Sequence, residues 1–253
     1  MPMCGAELNT GQLLEAAHAF AFSTLNERLG KGGLIVIAPH PDDESLGCGG
    51  LIAEACEDKR PTRVVIVTDG AGSHPNSRSH PEDRLRRLRE GEARQAVSEL
   101  GLDPDRDLVF LRLADRFAPS KGPEAQRAIE AIVGCAVEVR AEALFVSWRH
   151  DPHCDHQASY RIARGVLNTL PHLRIYEYSI WGSALSPATP IEEAFGGFRI
   201  NIERRQAKKR LAIAAHRSQT TDLINDDPTG FRLSASDLSR FDLPYEVFFE
   251  GPR

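Results

Sequence analysis

Continuous apolar runs alternate with stretches of helical periodicity through the centre of the chain. Runs typical of strands buried on both faces occur at 34–38, 63–68 and 143–147. Apolar residues at helical spacing predict helices at 47–56, 81–100, 123–140 and 155–167. Two further strands are predicted at 108–113 and 173–180. This order predicts a three-layer, Rossmann-like α/β fold, in which helices cover both faces of a mostly parallel central sheet.

The two ends of the chain differ from this regular centre. Helical spacing from Asn9 to Leu29 predicts a leading helix that stops at Gly30. After residue 180 the pattern is less regular, with a helix predicted near 204–216 and a strand at 245–249. We therefore predict a single domain over residues 1–253. Its parts would be an N-terminal helix in 1–30, a Rossmann-like core with the metal site in 31–180, and a C-terminal extension in 181–253 that contributes to the pocket.

The overall charge does not favour nucleic acid as a partner. The 253 residues are 41% hydrophobic and 26% charged, as in globular proteins, and carry a formal net charge of -5. A protein without excess positive charge lacks the attraction that holds a nucleic-acid backbone. Four arginines do cluster, but leucines alternate with them. We interpret these arginines as the solvated face of an amphipathic helix: Arg84, Arg86, Arg87 and Arg89.

Membrane insertion and secretion are not expected either. No stretch is apolar for long enough to span a membrane, and the first residues lack the basic region and apolar run of a secretory signal. The 5 cysteines form no Cys-x-x-Cys pair, which is typical of a reduced protein without disulfides. We therefore expect a cytoplasmic protein. The sequence leaves its oligomeric state open, with a homo-oligomer among the alternatives.

The loop after strand 34–38 carries the first candidate chemistry, because ligands bind such sheets at the carboxyl ends of the strands. His40 and Asp43 can turn toward one point, and an imidazole nitrogen and a carboxylate oxygen suit zinc. Asp42 would then lie beside the metal as a free carboxylate that can accept a proton from an attacking water. A loop that only caps a helix would need one acid and no histidine.

The loop after strand 143–147 carries three histidines and two aspartates within nine residues. His156 could supply a third metal ligand, and His153 could face the same pocket. Either Asp151 or Asp155 could hold an imidazole in one tautomer, as carboxylates behind metal ligands do. Two histidines and one aspartate leave one coordination position open, which a catalytic zinc needs and a structural zinc lacks.

A third loop, residues 69–80, follows strand 63–68 and is predicted to line the substrate pocket. Its glycines allow a close approach, and four polar side chains offer hydrogen bonds to a small-molecule glycoside or sugar conjugate: Asp69, Ser73, His74 and Arg78. A flexible surface loop is the alternative interpretation. Trp181 could stack on a sugar ring, although a packed aromatic is the favoured interpretation, and the stretch 183–198 could close over the site.

These motifs resemble those of a known enzyme family. The sequence Pro39-His-Pro-Asp-Asp-Glu44 looks like the signature of the PIG-L/LmbE-like de-N-acetylases, and His153-Cys-Asp-His156 resembles their second motif, usually His-Pro-Asp-His. Cys154 departs from the usual proline. Weaker similarities occur at Arg89-x-x-Glu92-Ala93 and from Lys209 to Gln219. The resemblance extends in order from residue 34 to about residue 220.

The resemblance implies a zinc-dependent hydrolase that removes an acetyl group from an N-acetylglucosamine-type conjugate. Asp42 would be the general base. His153, protonated and held by Asp155, would stabilise the oxyanion or act as an acid. One Zn²⁺ would be bound per chain, although Fe²⁺ or another divalent ion could replace it. Its ligands would be His40, Asp43 and His156.

Three other interpretations make different demands on these residues. A dinucleotide-binding module is disfavoured because Ile52 stands where the third glycine of G-x-G-x-x-G belongs, counted from Gly47. A metal-dependent hydrolase of another amide or ester keeps the same residues, and the sequence leaves it open. A non-catalytic metal-binding protein of the same fold would need neither Asp42 nor His153.

Overall fold

A mixed sheet of seven strands forms the centre of the fold. The computed structural model describes residues 8–191 and 196–251. In this part of the chain the main sheet consists of β2 (Gly33–Ala38), β3 (Thr62–Thr68), β4 (Leu108–Leu113), β5 (Ala141–Ser147), β6 (Arg174–Tyr178), β8 (Gly196–Asn201) and β9 (Tyr245–Glu250). Their order is β4-β3-β2-β5-β6-β9-β8. The first five strands are parallel, and β9 runs antiparallel to both of its neighbours. A separate antiparallel pair consists of β1 (Leu8–Asn9) and β7 (Pro190–Ile191).

Helices cover both faces of this sheet. They are α1 (Thr10–Ala17), α2 (Leu25–Leu29), α3 (Asp43–Glu57), α4 (Glu82–Glu99), α5 (Pro104–Asp107), α6 (Gly122–Glu138), α7 (Cys154–Val166), α8 (Gln206–Ala215), α9 (Arg217–Thr220) and α10 (Ala235–Arg240). Helices α3, α4 and α8 pack on one face, and α6 and α7 on the other. The predicted three-layer α/β fold is thus confirmed. None of the helices in the described residues has the length and hydropathy to cross a lipid bilayer.

The central strand β2 shows why the apolar run is continuous. Leu34, Val36 and Ala38 point into the core beneath α3 and α4, whereas Ile35 and Ile37 point into the core beneath α6. All five are fully buried. A strand that is covered on both faces cannot alternate apolar with polar residues, so its sequence is apolar throughout.

The strand order places a crevice beside β2. The connections through α3 and α4 lead outward from β2 to β3 and β4, whereas those through α6 and α7 return to the other side of β2. The order therefore reverses between β2 and β5, and ligands of doubly wound folds bind at such a switch point. The loops that leave these two strands contain both histidine motifs.

The predicted leading helix from Asn9 to Leu29 is wrong in its middle. It is divided into α1 and α2, and a segment without helical structure lies between them. There the chain runs beside β8: Ser23 N donates to Arg199 O at 2.8 Å, and Arg199 N donates to Ala21 O at 3.0 Å. Thr24 and Glu27 then form a capping box that starts α2. Pairing with a distant strand has outweighed the local helical pattern.

The C-terminal residues complete the main sheet. Strand β9 lies between β6 and β8, and its Glu246 accepts a bond from Lys209 Nζ of α8 at 2.7 Å. The stretch 183–198 includes β7 and the start of the edge strand β8, and residues 192–195 lie outside the described residues. That this stretch closes over the site stays a prediction. The sequence pattern did not predict β8, the pair β1 and β7, or the short helices α5, α9 and α10.

Candidate metal centre

The turn between β2 and α3 is strained at Asp42. Its φ of 141° lies in a region that residues with a side chain rarely adopt, at a cost of about 1–3 kcal/mol. The backbone N–H of Asp42 donates to Glu44 Oε2 at 2.9 Å, and Glu44 Oε1 bonds to His216 Nε2 at 2.8 Å. Burial lowers the pKa of His216, but the adjacent Glu44 carboxylate outweighs this and raises it. These bonds hold the turn in its strained shape.

Three donor atoms from the two histidine motifs converge at this turn. Oδ2 of Asp43 lies 3.1 Å from His40 Nδ1 and 3.1 Å from His156 Nε2, and the two nitrogens are 3.2 Å apart. A tetrahedral ion with bonds of about 2.0–2.1 Å would separate its ligands by roughly 3.3 Å. The spacing of the three atoms therefore fits one ion of the size of zinc. These are the three residues predicted as ligands.

The other nitrogen of each histidine faces a carboxylate. His40 Nε2 lies 3.1 Å from Asp155 Oδ2 and 3.3 Å from Asp115 Oδ1, and His156 Nδ1 lies 3.3 Å from Asp151 Oδ1. Carboxylates in this position fix the tautomer and the orientation of metal-ligating imidazoles. The arrangement leaves the nitrogens in the triangle free to donate their lone pairs to a cation.

The electrostatics of the site also favour a cation. Burial lowers the pKa of His156, but the carboxylates of Asp43 and Asp151 outweigh it and raise the pKa to about 9. Burial alone would raise the pKa of Asp43, whereas His156 and His40 lower it well below its usual range. The buried carboxylates thus favour positive charge at the two imidazoles. A divalent ion would supply such charge, so the residues fit a metal.

Asp42 lies next to the triangle and takes no part in it. It is 6% exposed and lines a cavity, and its Oδ2 accepts a bond from Arg89 Nη2 at 3.2 Å. Burial raises the pKa of Asp42 to about 7, against the opposing effect of Arg89. A cation bound beside it would act in the same direction as Arg89 and favour the carboxylate form. Asp42 is thus placed to act on a molecule in the cavity.

His153 and Asp155 are arranged differently from the expectation. The Asp155 carboxylate accepts bonds from His40 and from the backbone N–H groups of Arg116 and Ala118. Its Oδ2 lies 3.9 Å from His153 Nδ1, which is too far for a hydrogen bond. Instead, His153 Nδ1 accepts the backbone N–H of Asp155 at 3.2 Å as the N-cap of α7. Burial and the neighbouring histidines lower the pKa of His153. A neutral ring bonded in this way carries its proton on Nε2.

The cavity over this centre has a volume of about 360 Å³. Of the four residues predicted to bind substrate, Ser73 lines it and the other three do not. Asp69 accepts a bond from Arg86 Nε at 3.0 Å, and His74 is buried and packs against Gly230. The side chain of Arg78 is exposed, and its backbone N–H donates to an aspartate of the C-terminal part.

Several lining residues were missed by the sequence analysis. Asp115 and Arg116 directly follow β4, so the rule that identified the other loops would also have identified this one. Arg89 is 3% exposed and lines the cavity, so its assignment to a solvated face was wrong. Two signals could have identified Arg89: the similarity at Arg89-x-x-Glu92-Ala93, and the helical spacing that places it on the same face as Leu85. The burial of Arg89 depends on the carbonyl groups of Pro41 and Gly70, which its guanidinium binds at 2.6 and 2.8 Å.

A comparison with protein-family models identifies the motifs. Residues 35–167, which contain both histidine loops, match the model described as PIG-L: GlcNAc-PI de-N-acetylase. The chain belongs to this family. The match ends before α8, so the C-terminal part of the cavity wall lies outside it.

Individual relatives of known name are distant. Over 155 residues the chain is 28% identical to a 2'-N-acetylparomamine deacetylase from Streptomyces fradiae, in a match that covers 57% of this chain and 55% of that protein. The chain thus matches little more than half the length of this relative. The similarity is too partial to transfer the whole protein's activity.

Solved structures show the same fold. An N,N'-diacetylchitobiose deacetylase from Pyrococcus horikoshii superposes with a TM-score of 0.62 at 20% identity, covering 83% of this chain and 78% of the other. A 4-carboxy-2-hydroxymuconate hydratase from Pseudomonas putida superposes with a TM-score of 0.60 at 14% identity, covering 88% and 97%. Since a deacetylase and a hydratase both have this fold, the fold alone does not identify the reaction.

Proposed function

We propose that the protein is a zinc-dependent hydrolase that removes the acetyl group from an N-acetylated amino-sugar conjugate. The observation that carries this proposal is the carboxylate of Asp42, which stands outside the ligand triangle, is bonded to Arg89 and lines an open cavity beside the three converging ligand atoms. A structural metal site is closed by its ligands. It requires neither an additional carboxylate beside them nor a cavity that admits a substrate.

The ligand set supports the choice of metal. His40, Asp43 and His156 would hold Zn²⁺ and leave a position open, and Fe²⁺ is the alternative ion for such a set. When bound, the ion would polarise the acetamide carbonyl and acidify a water molecule. The metal content of the purified protein, measured by mass spectrometry, distinguishes the two ions.

The protein's own residues would carry the proton transfers. Asp42 accepts a proton from the water while the oxygen of the water bonds to the acetyl carbon. The hydrogen bond from Arg89 keeps the Asp42 carboxylate oriented. The Nε2–H of His153 donates to the oxygen that becomes negative in the tetrahedral species. Cleavage of the C–N bond then releases acetate and an amine. Asp42, which has taken the proton from the water, supplies it to that amine, because a neutral His153 would have to become an imidazolate to do so.

The substrate class is supported by the names of the relatives. The partial relative from S. fradiae is named for 2'-N-acetylparomamine and the fold neighbour from P. horikoshii for N,N'-diacetylchitobiose, both of which are N-acetylated amino sugars. A cavity of about 360 Å³ lies in the usual range for small-molecule sites. Polar groups at its base could bind the acetamide and the hydroxyl groups of one sugar ring.

The test is the release of acetate and free amine from a panel of N-acetylglucosamine derivatives: the free sugar, an inositol conjugate, a thiol-precursor glycoside and chitobiose. We expect Asp42→Asn to keep one equivalent of metal and to lose turnover by a factor of at least ~100. Asp58→Asn is the matched control, since Asp58 is exposed at the other end of α3. Turnover of Asp42→Asn close to wild type would exclude Asp42 as the base. No release from any compound by the metal-loaded wild type would favour another amide or ester substrate or a non-catalytic role.

A further inference from the structure

The wall of the cavity over the metal centre has two chemically different parts. Carboxylate, imidazole and guanidinium groups lie around the ligand triangle at its base. The apolar part includes Pro152, Trp181, Ala184 and Phe231. Trp181 is half-buried, and Phe231 remains 39% exposed. Apolar ring surface that is open to water is unfavourable, so two partly open rings in the wall of one cavity indicate a surface that a ligand covers.

The two rings form a corner rather than a stack. Their centroids are 5.6 Å apart, and their planes meet at 88°. We call Trp181 and Phe231 the aromatic corner. A perpendicular pair presents two apolar surfaces to one ring of a ligand, whereas a stacked pair would cover its own faces.

A hydrogen bond links the Trp181 side of the corner to the metal centre. The backbone N–H of Trp181 donates at 2.8 Å to Oδ2 of Asp151, whose other oxygen faces His156. On the outer side, the guanidinium of Arg240 lies 6.0 Å from the Trp181 ring and donates to Ser183 Oγ at 2.6 Å. The position of the indole is therefore fixed relative to the ligand triangle.

The Phe231 side is held by the loop that was predicted to bind substrate. The backbone N–H of Phe231 donates to Ser73 O at 2.7 Å, and His74 packs against Gly230 so closely that a Cβ there would meet its ring. Asp226 and Asp227 accept bonds from backbone N–H groups of residues 76, 78 and 79 at 2.8–2.9 Å. Residues 69–80 thus support the corner from behind.

We propose that the aromatic corner binds the apolar face of a second ring, so that the preferred substrates are N-acetylated amino sugars joined to a cyclic aglycone. This inference rests on the proposed deacetylase function and makes its substrate class narrower. The acetamide and its sugar ring occupy the polar base, and the aglycone extends toward Trp181 and Phe231. Free N-acetylglucosamine reaches only the polar base and is therefore a poorer substrate.

The test compares 4-nitrophenyl and methyl N-acetyl-β-glucosaminide. The two compounds share the sugar, and only the first has an aromatic ring as its aglycone. We expect the wild type to prefer the aryl glycoside. Trp181→Ala and Phe231→Ala should each raise KM for the aryl glycoside roughly tenfold, a factor that corresponds to about 1.4 kcal/mol, while kcat/KM for the methyl glycoside stays within about twofold. Trp181→Phe and Phe231→Tyr keep a ring and should restore most of the preference.

Phe117→Ala is the matched control, since Phe117 is 78% exposed and lies outside this cavity. Equal effects on both glycosides, or no effect on either, would overturn the assignment. Binding of the two compounds to the Asp42→Asn variant by calorimetry tests the corner without turnover. If acetate is never released but the aryl glycoside binds more tightly than the methyl glycoside, and this difference is lost in the corner variants, the proposed reaction is wrong and the aromatic corner is still a binding site. If the aryl compound binds no better than the methyl one, the corner is not a binding site.

Discussion

The buried ion pair between Lys209 and Glu246 provides a quantitative test of how the C-terminal part is attached. Both side chains are 3% exposed, and the Nζ–Oε1 distance is 2.7 Å. Glu246 also accepts the backbone N–H groups of Gly50 and Leu51 at 2.7 and 2.8 Å. One carboxylate therefore joins β9, α8 and the middle of α3, and Lys209 supplies its only charged partner among the described residues.

The expected effect of Lys209→Met follows from this geometry. Methionine fills nearly the same space, so the main change is a buried carboxylate without a counterion. Removing one partner of a buried pair costs about 3–5 kcal/mol. We expect the lower end, about 3 kcal/mol, because the two amide bonds to Glu246 remain. Adding Glu246→Gln removes the unpaired charge, so the double variant should lose less than the sum of the single changes.

Urea unfolding followed by circular dichroism measures these differences. Lys208→Met is the matched control, because Lys208 is the adjacent residue and pairs with Glu57 at the surface, where both side chains are 42% exposed. Such a pair contributes less than about 1 kcal/mol. If Lys209→Met lost no more free energy of unfolding than Lys208→Met, the ion pair would not stabilise the fold as argued here.

Further predictions concern the ligands and the packing of helices. His156→Ala should abolish stoichiometric metal binding, and a protein that still carries one equivalent by mass spectrometry would remove His156 from the ligand set. Gly47→Ala should destabilise by about 1–3 kcal/mol in urea, because a Cβ there would lie 2.2 Å from the Tyr178 ring. Gly134→Ala lies on an exposed helical position with nothing within 4 Å, so it should stabilise by about 0.5–1 kcal/mol. If Gly47→Ala had a higher free energy of unfolding than Gly134→Ala, the packing around these two glycines would not be as described.

Most of the metal centre could be predicted because its residues are encoded locally. The ligand atoms come from two short segments, each directly behind a buried apolar strand, and the carboxyl ends of parallel strands meet at one edge of the sheet. Neither Asp43 nor His156 needs a distant contact to be brought to that edge. The strand order then places the two segments beside each other.

The cavity wall could not be predicted in the same way. Arg89 shares the helical spacing of the buried Leu85 and Ala93, but the two carbonyl groups that its guanidinium reaches across the fold cannot be inferred from that spacing. Phe231 lies in a segment without periodicity, and its position depends on bonds to residues 73–79. The same limit applies to the leading helix, where pairing of Ser23 with Arg199 outweighs local propensity.

The place of β9 in the sheet bears on how the protein is made. A ribosome delivers β6 about seventy residues before β9, yet β9 is the direct neighbour of β6 and separates it from β8. While translation continues, one side of β6 has no strand to bind, and such an unpaired edge can pair with other nascent chains. Glu246 also reaches α3 only after this insertion. The interval between the synthesis of β6 and that of β9 is thus the period in which this edge of the growing chain is open to such pairing.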